Sequence, residues 1–139
     1  MKLKVIDKTT GGTYATGEKR ISLYLKNGTI NFSAELARAG IFKPNSKIAF
    51  YQDEARPKDW YMAESETGFT LKEKKDGILS LTSAKFCSAI AESVKFNGKT
   101  CSFLVATEPM ENEGIKLYAI LTPSIKFKEE KDVSLPNKM

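Results

Sequence analysis

Residues 28–53 read GTINFSAELARAGIFKPNSKIAFYQD. Ile30 and Phe32 alternate with Thr29 and Asn31, the period-two pattern of a strand with one buried face. Ser33 stands where a helix N-cap is needed, and Ala34 to Ala39 are good helix formers, with Leu36, Ala37 and Ile41 near one face. Gly40 supplies the left-handed residue that ends such a helix. Pro44-Asn45 marks a turn, and Ile48 and Phe50 then resume the alternation from Lys47 to Gln52. The stretch predicts strand, short helix, strand. A helix this short does not stand alone in water, so the unit must pack on the rest of the chain.

Reading outward from that unit extends the pattern in both directions. Upstream, Ile21, Leu23 and Leu25 alternate with Ser22, Tyr24 and Lys26, and Asn27-Gly28 predicts a two-residue type I′ turn into Thr29–Phe32. Leu3 to Ile6 predicts a first strand, followed by the Gly- and Thr-rich loop TTGGTYATGEKR. Downstream, DEARPKD is a polar loop, and Trp60–Glu64, Phe69–Lys72 and Ile78–Leu81 are short strands. Thr82 or Ser83 caps a second helix, in which Phe86, Ile90 and Val94 recur every fourth residue beside Cys87 and Ala91. Asn97-Gly98 ends it. Thr100–Ala106 is a strand with Cys101, Phe103 and Val105 on one face. Glu108–Gly114 reads as an acidic loop, Ile115–Leu121 as a strand stopped by Pro123, and Ile125–Phe127 as a last edge.

The order repeats. Gly28-Thr29-Ile30-Asn31-Phe32-Ser33 and Gly77-Ile78-Leu79-Ser80-Leu81-Thr82 each lead into a helix. An Asn- and Lys-containing turn, a strand with an inward Phe (Phe50; Phe103) and an aromatic strand follow in both. Residues 28–64 and 77–121 therefore read as two β-α-β-β units, neither able to bury its own apolar face. The expected fold is mostly β with two short helices, the pseudo-duplicated units forming a small barrel-like core. That core belongs to a single globular domain, residues 1–128, ahead of a charged tail at 129–139. Phe32, Leu36, Ile48, Phe50, Phe86, Ile90, Phe103 and Leu117 hold the apolar phase and are expected in the core.

Composition narrows the chemistry. The 139 residues are 41% hydrophobic, enough for a core without metal or disulfide staples. With 22 Lys and Arg against 17 Asp and Glu and no His, the net charge is +5, a balance suited to an acidic partner such as nucleic acid. Only Arg20, Arg38 and Arg56 are arginines, so the positive field is diffuse and lacks the bidentate readout that arginine gives. Without His there is no Ser-His or Cys-His pair, and no P-loop, dinucleotide fingerprint or His-Glu-x-x-His sequence occurs. The acidic groups Asp53, Glu54, Asp59 and Glu108, Glu111, Glu113 read as solvated loops. No catalytic residue, metal ligand or cofactor is assigned, and the chain is expected not to be an enzyme. Cys87 and Cys101 both fall on apolar faces and read as small buried hydrophobes, though spacing alone does not decide whether they pair. The start carries no apolar leader segment, and the longest apolar run, Leu117–Leu121, is far short of a membrane span. A cytoplasmic protein without membrane contact is expected.

Gly28, Ile30, Phe32, Glu35-Leu36, Gly40-Ile41, Pro44 and Ile48 together resemble the core of the AbrB/MazE-like swapped-hairpin (SpoVT-AbrB) family over residues 28–52. In that family two chains each lend a hairpin unit to a shared barrel that binds DNA. The resemblance implies that two units in one chain close such a barrel as a pseudo-dimer. It also implies a DNA-binding regulator. Thr29, Ser33 and Ala37 depart from the family's Arg, Pro and Arg, and two of these replace arginines of the kind presented to DNA.

Two kinds of site follow. Lys19, Arg20, Arg38, Lys43 and Lys47 are the candidate nucleic-acid-binding cations, and phosphate contacts of this sort position a ligand without specifying it. Tyr24, Tyr51, Tyr61 and Tyr118 fall out of phase with their strands' aliphatic residues, a pattern that also suits base stacking. The expected function is a non-catalytic nucleic-acid-binding protein with DNA as partner. The alternative is a protein-interaction or structural module, of the kind phages and mobile elements encode, with Trp60 and Tyr61 as the partner anchor.

Overall fold

The computed structural model describes residues 18–127. The expected strand Leu3–Ile6, most of the Gly- and Thr-rich loop and the tail from residue 129 lie outside the described residues. In chain order the elements are β1 (Arg20–Tyr24), β2 (Thr29–Phe32), α1 (Ala34–Arg38), β3 (Lys47–Gln52), β4 (Trp60–Glu64), β5 (Phe69–Thr70), β6 (Lys72–Glu73), a short 3-10 turn (Lys75–Gly77), β7 (Leu79–Thr82), α2 (Ala84–Ser93), β8 (Thr100–Val105), β9 (Met110–Asn112) and β10 (Ile115–Phe127). The described residues are mostly β with two α-helices, as the sequence leads one to expect.

Every strand pairing is antiparallel, and the sheet runs β5-β3-β4-β10-β8-β1-β2-β7-β6, with β9 added to β10. Its two ends are consecutive in the chain. Phe69–Thr70 pairs with β3 and Lys72–Glu73 with β7, so one short segment holds both ends and bends the sheet into a nearly closed barrel. At its centre Leu71 is fully buried. Its N–H donates to the Ser46 carbonyl at 2.8 Å, and its own carbonyl accepts from Asn45 N–H at 2.7 Å.

The barrel interior takes Ile21, Leu23, Ile30, Phe32, Ile48, Met62, Leu79, Leu81, Cys101, Phe103 and Ile120. Seven of the eight expected core residues are buried; Phe50 is half-buried. Phe50 stacks flat on Phe86 of α2 at 3.8 Å, and Trp60 meets the same ring edge-on at 5.4 Å. Phe42 joins Phe32 at 5.5 Å to Tyr118 at 5.3 Å, both edge-to-face. Tyr118 therefore shares the inward phase of Ile120, opposite Met62 and Trp60, and Leu117 is buried from the outer side of β10. This reverses the phase read from the sequence for that strand.

The caps follow the local chemistry. Ser33 and Ser83 accept from the N–H groups of Leu36 and Phe86 through their hydroxyls, and Gly40 follows α1 at φ +78°. Helix α2 ends earlier than Asn97-Gly98. Lys95 takes φ +61°, its N–H reaches the Glu92 carbonyl, and Phe96 N–H reaches the Ala91 carbonyl, the paired bonds of a Schellman cap.

Three further expectations are corrected. Tyr24 pairs with Thr29, so the β1–β2 loop has four residues, Leu25 to Gly28, and only Gly28 has positive φ. Gly28 N–H closes the loop on the Tyr24 carbonyl at 2.9 Å, while Leu25 N–H continues the β1–β8 ladder to the Lys99 carbonyl. The two-residue type I′ turn occurs instead at Glu113-Gly114, φ +52° and +81°, making a β9–β10 hairpin of the segment read as an acidic loop. Pro123 does not stop β10, because it sits in a register shift between Leu121 and Lys126 where no ladder donor is required. There Ser124 Oγ accepts from Leu104 N–H at 2.8 Å, in place of the missing backbone bond.

Replacing Phe103, fully buried, by Ala should cost about 3–5 kcal/mol in urea unfolding, and Phe50→Ala distinctly less. Lys95→Gly should raise stability by about 0.5–1 kcal/mol by relieving the left-handed residue. A neutral Phe103→Ala would overturn the core assignment, and a destabilising Lys95→Gly the cap assignment.

Candidate nucleic-acid interface

Because Ile21, Leu23, Ile30, Phe32, Leu79, Leu81, Cys101 and Phe103 fill the inside, strand alternation forces their neighbours outward. On β8, β1, β2 and β7 these neighbours are nearly all small hydroxyl or amide side chains. Cross-strand register sets them in rows. One row runs Thr100, Tyr24, Thr29, Thr82, and the next runs Lys126, Ser102, Ser22, Asn31, Ser80, Lys72.

At the β10 end of these rows lies a groove of about 680 Å³ lined by Ser22, Tyr24, Lys99, Thr100, Cys101, Ser102, Lys126 and Phe127. Tyr24 is 39% and Phe127 52% exposed, so two ring faces are open to a ligand. Phe127 is steadied by Phe96, 5.2 Å away. Among the described residues two lysines and no carboxylate line the groove; Glu18 borders it, 3.7 Å from the Lys126 ammonium. Exposed rings beside ammonium groups offer stacking and phosphate contact together.

The opposite outer face differs in kind. Tyr51 faces Tyr61 across β3 and β4, and with Met110, Ile115 and Leu117 they line a cleft of about 430 Å³. Asp53 and Glu113 border it, and among the described residues no cation lines it.

The cations singled out from the sequence are not gathered into either site. Arg20 is spent internally: Nε donates to Ser102 Oγ at 3.0 Å, Nη2 to the carbonyls of Ser102 and Ser124 at 3.2 and 2.8 Å, and Nη1 pairs with Glu18 at 3.1 Å. It clamps β1 to β8 and to the bulge of β10. Arg38 is exposed and paired with Glu35, and Lys43 is exposed in the loop after α1. Lys47 lines a shallow depression with Glu64 and Glu66, and Lys19 is half-buried ahead of β1. Of the partner-anchor pair, Trp60 is a core residue, 5% exposed, whose indole N–H donates to Ser93 Oγ at 2.9 Å. Tyr61 does reach the outer cleft. Sequence reasoning found Tyr24 but missed Lys99, Lys126 and Phe127. Pro123 hides that β10 continues, and only that continuation brings Lys126 and Phe127 beside Ser102 and Cys101.

Among the described residues no group of three His, Cys, Asp or Glu is placed to hold a metal ion, and no helix is long and apolar enough to cross a membrane. Compared with protein-family models, curated proteins and solved structures, the chain matches none.

Cys87 and Cys101 are unpaired and buried. Burial pushes the Cys87 thiol up to about 11, and burial with added repulsion from Cys87 pushes Cys101 to about 12. Both should resist a disulfide reagent at pH 8 and react on unfolding. Above about pH 8.5 the unfolded chain loses thiol protons that the folded chain keeps, so this contribution to stability falls as pH rises. Labelling of the native protein within minutes would overturn this assignment.

Proposed function

We propose that the protein is a non-catalytic nucleic-acid-binding module. The observation that carries this reading is the groove where exposed Tyr24 and Phe127 stand between Lys99 and Lys126. Rings supply sequence-tolerant stacking on bases, and ammonium groups neutralise phosphate. The partial resemblance of residues 28–52 to the AbrB-like family supports the same direction, with Arg38, Lys43 and Lys47 adding diffuse charge near α1.

The pseudo-duplication belongs to this reading. Residues 28–64 and 77–121 are taken as copies, supported by the pairing of β2 with β7 and of β4 with β10. Exchanging β1 with the β5–β6 segment, β2 with β7, β3 with β8 and β4 with β10 reproduces the same circular strand order. The halves should superpose by a rotation near 180°, and an unrelated rotation would remove the duplication.

A second reading, a protein-interaction module, is favoured by the Tyr51–Tyr61 cleft, where Met110 is 49% and Ile115 39% exposed. It predicts a protein ligand lost on Ile115→Glu while nucleic-acid binding persists.

The main test is a mobility shift with duplex and single-stranded DNA. Affinity should fall steeply between about 50 and 200 mM salt, because each neutralised phosphate releases counterions. Lys99→Glu with Lys126→Glu should abolish binding while changing stability by only about 0.5 kcal/mol. Absence of any binding by the unaltered protein at low salt would overturn the proposal.

A further inference from the structure

The polar rows do not stop at the first groove. They cross β8, β1, β2 and β7 and reach a second groove of about 370 Å³, lined in part by Phe69, Lys72, Lys74, Ser80 and Thr82. This groove repeats the composition of the first. Phe69 pairs with inward Ile48 and its ring leans on Phe50 at 6.2 Å, yet it is 42% exposed at the sheet seam; two lysines stand beside it, and among the described residues no carboxylate lines the groove. Between the grooves the register sets Ser102, Ser22, Asn31 and Ser80 side by side, with Lys126 at one end and Lys72 at the other. Midway, Asn31 Oδ1 is shielded from water and accepts no hydrogen bond.

We infer that the ligand is a single-stranded nucleic acid lying across the strands, from the Tyr24–Phe127 groove to the Phe69–Lys72–Lys74 groove. This inference rests on the nucleic-acid reading above and goes beyond it in strandedness, path and site length. Each end offers a ring for an unpaired base and two ammonium groups for its flanking phosphates. A duplex keeps its base faces stacked inside and leaves the exposed rings without partners. The Ser and Thr side chains between are short, so a backbone can approach the sheet closely and hydrogen-bond to hydroxyls. Six strands at about 4.8 Å spacing give a track of about 24 Å, room for about four nucleotides, at the low end of single-strand sites.

The test uses the full chain, fluorescein-labelled oligothymidylates of increasing length, an oligoadenylate, and a duplex of matched length, in low salt. Affinity should rise with length up to about four nucleotides and flatten beyond, and a 12-mer strand should bind about tenfold tighter than the duplex. Oligoadenylate and oligothymidylate of equal length should bind within a few-fold of each other, because ring stacking tolerates every base. Phe69→Ala with Lys72→Glu and Lys74→Glu should weaken the 12-mer about tenfold and leave a dinucleotide unchanged, whereas Tyr24→Ala weakens both. Lys74→Glu alone, on a side chain already exposed, repeats the comparison should the triple variant misfold. Equal binding of strand and duplex, or a 12-mer indifferent to the far-groove variants, overturns this inference and leaves the module's nucleic-acid reading standing. No binding of either form overturns both.

Discussion

The backbone of Leu71 is the clasp of the structure. Its N–H and carbonyl both engage the Asn45–Ser46 turn ahead of β3, while the residue two positions on pairs with β7. Without that clasp β3 and β7 would be edge strands with rows of unpaired backbone groups, an invitation to aggregation. Closure also encloses the interior on all sides, which is how a chain this short keeps Phe32, Phe103, Ile48 and Met62 fully buried. Gly68 shows how tight the approach is: a Cβ there would lie 2.4 Å from the carbonyl carbon of Ile48. No side chain fits between the closing segment and β3, so the clasp needs glycine for space rather than for backbone freedom.

Much of this architecture was legible in the sequence wherever a rule is local. Ser33 and Ser83 cap their helices, Gly40 ends α1, and the alternation of Ile21, Leu23, Ile30 and Phe32 gives the inner face. Reading failed where a distant partner decides. The Lys99 carbonyl extends the β1–β8 ladder to Leu25, beyond the last β1–β2 pair at Tyr24, and the Ser124 hydroxyl carries β10 past Pro123. Ser93 satisfies the indole of Trp60, which lets an amphipathic aromatic sit in the core. None of these partners is within twenty residues of the position it overrides, apart from Ser124, and that one acts through β8.

The candidate site was less legible for a related reason. Charge counting weights every lysine and arginine alike, whereas the fold sorts them. Arg20 has a planar fork suited to phosphate, and that same geometry makes it the right tool for tying Ser102 and Ser124 to β1. Its 11% side-chain exposure leaves little for a ligand. Lys126 is more open, 67% exposed although it lies 3.7 Å from Glu18, and Tyr24 keeps its ring open because the residues opposite it, Thr29 and Thr100, are small.

The outside of the barrel is thus divided by chemistry as well as by position. One half presents Ser, Thr and Asn between lysine-bearing ends, and the other presents Tyr51, Tyr61, Met110 and Ile115 with acidic borders. A polyanion drawn to the first half is repelled from the second by Asp53 and Glu113, so a polyanion and an apolar protein segment would occupy different faces. Lysine in place of arginine suits the polar half: point charges on flexible stems hold a backbone without demanding a particular base. Selectivity on such a surface would come from the rings, whose partners are bases rather than phosphates, and these respond to strandedness before they respond to sequence.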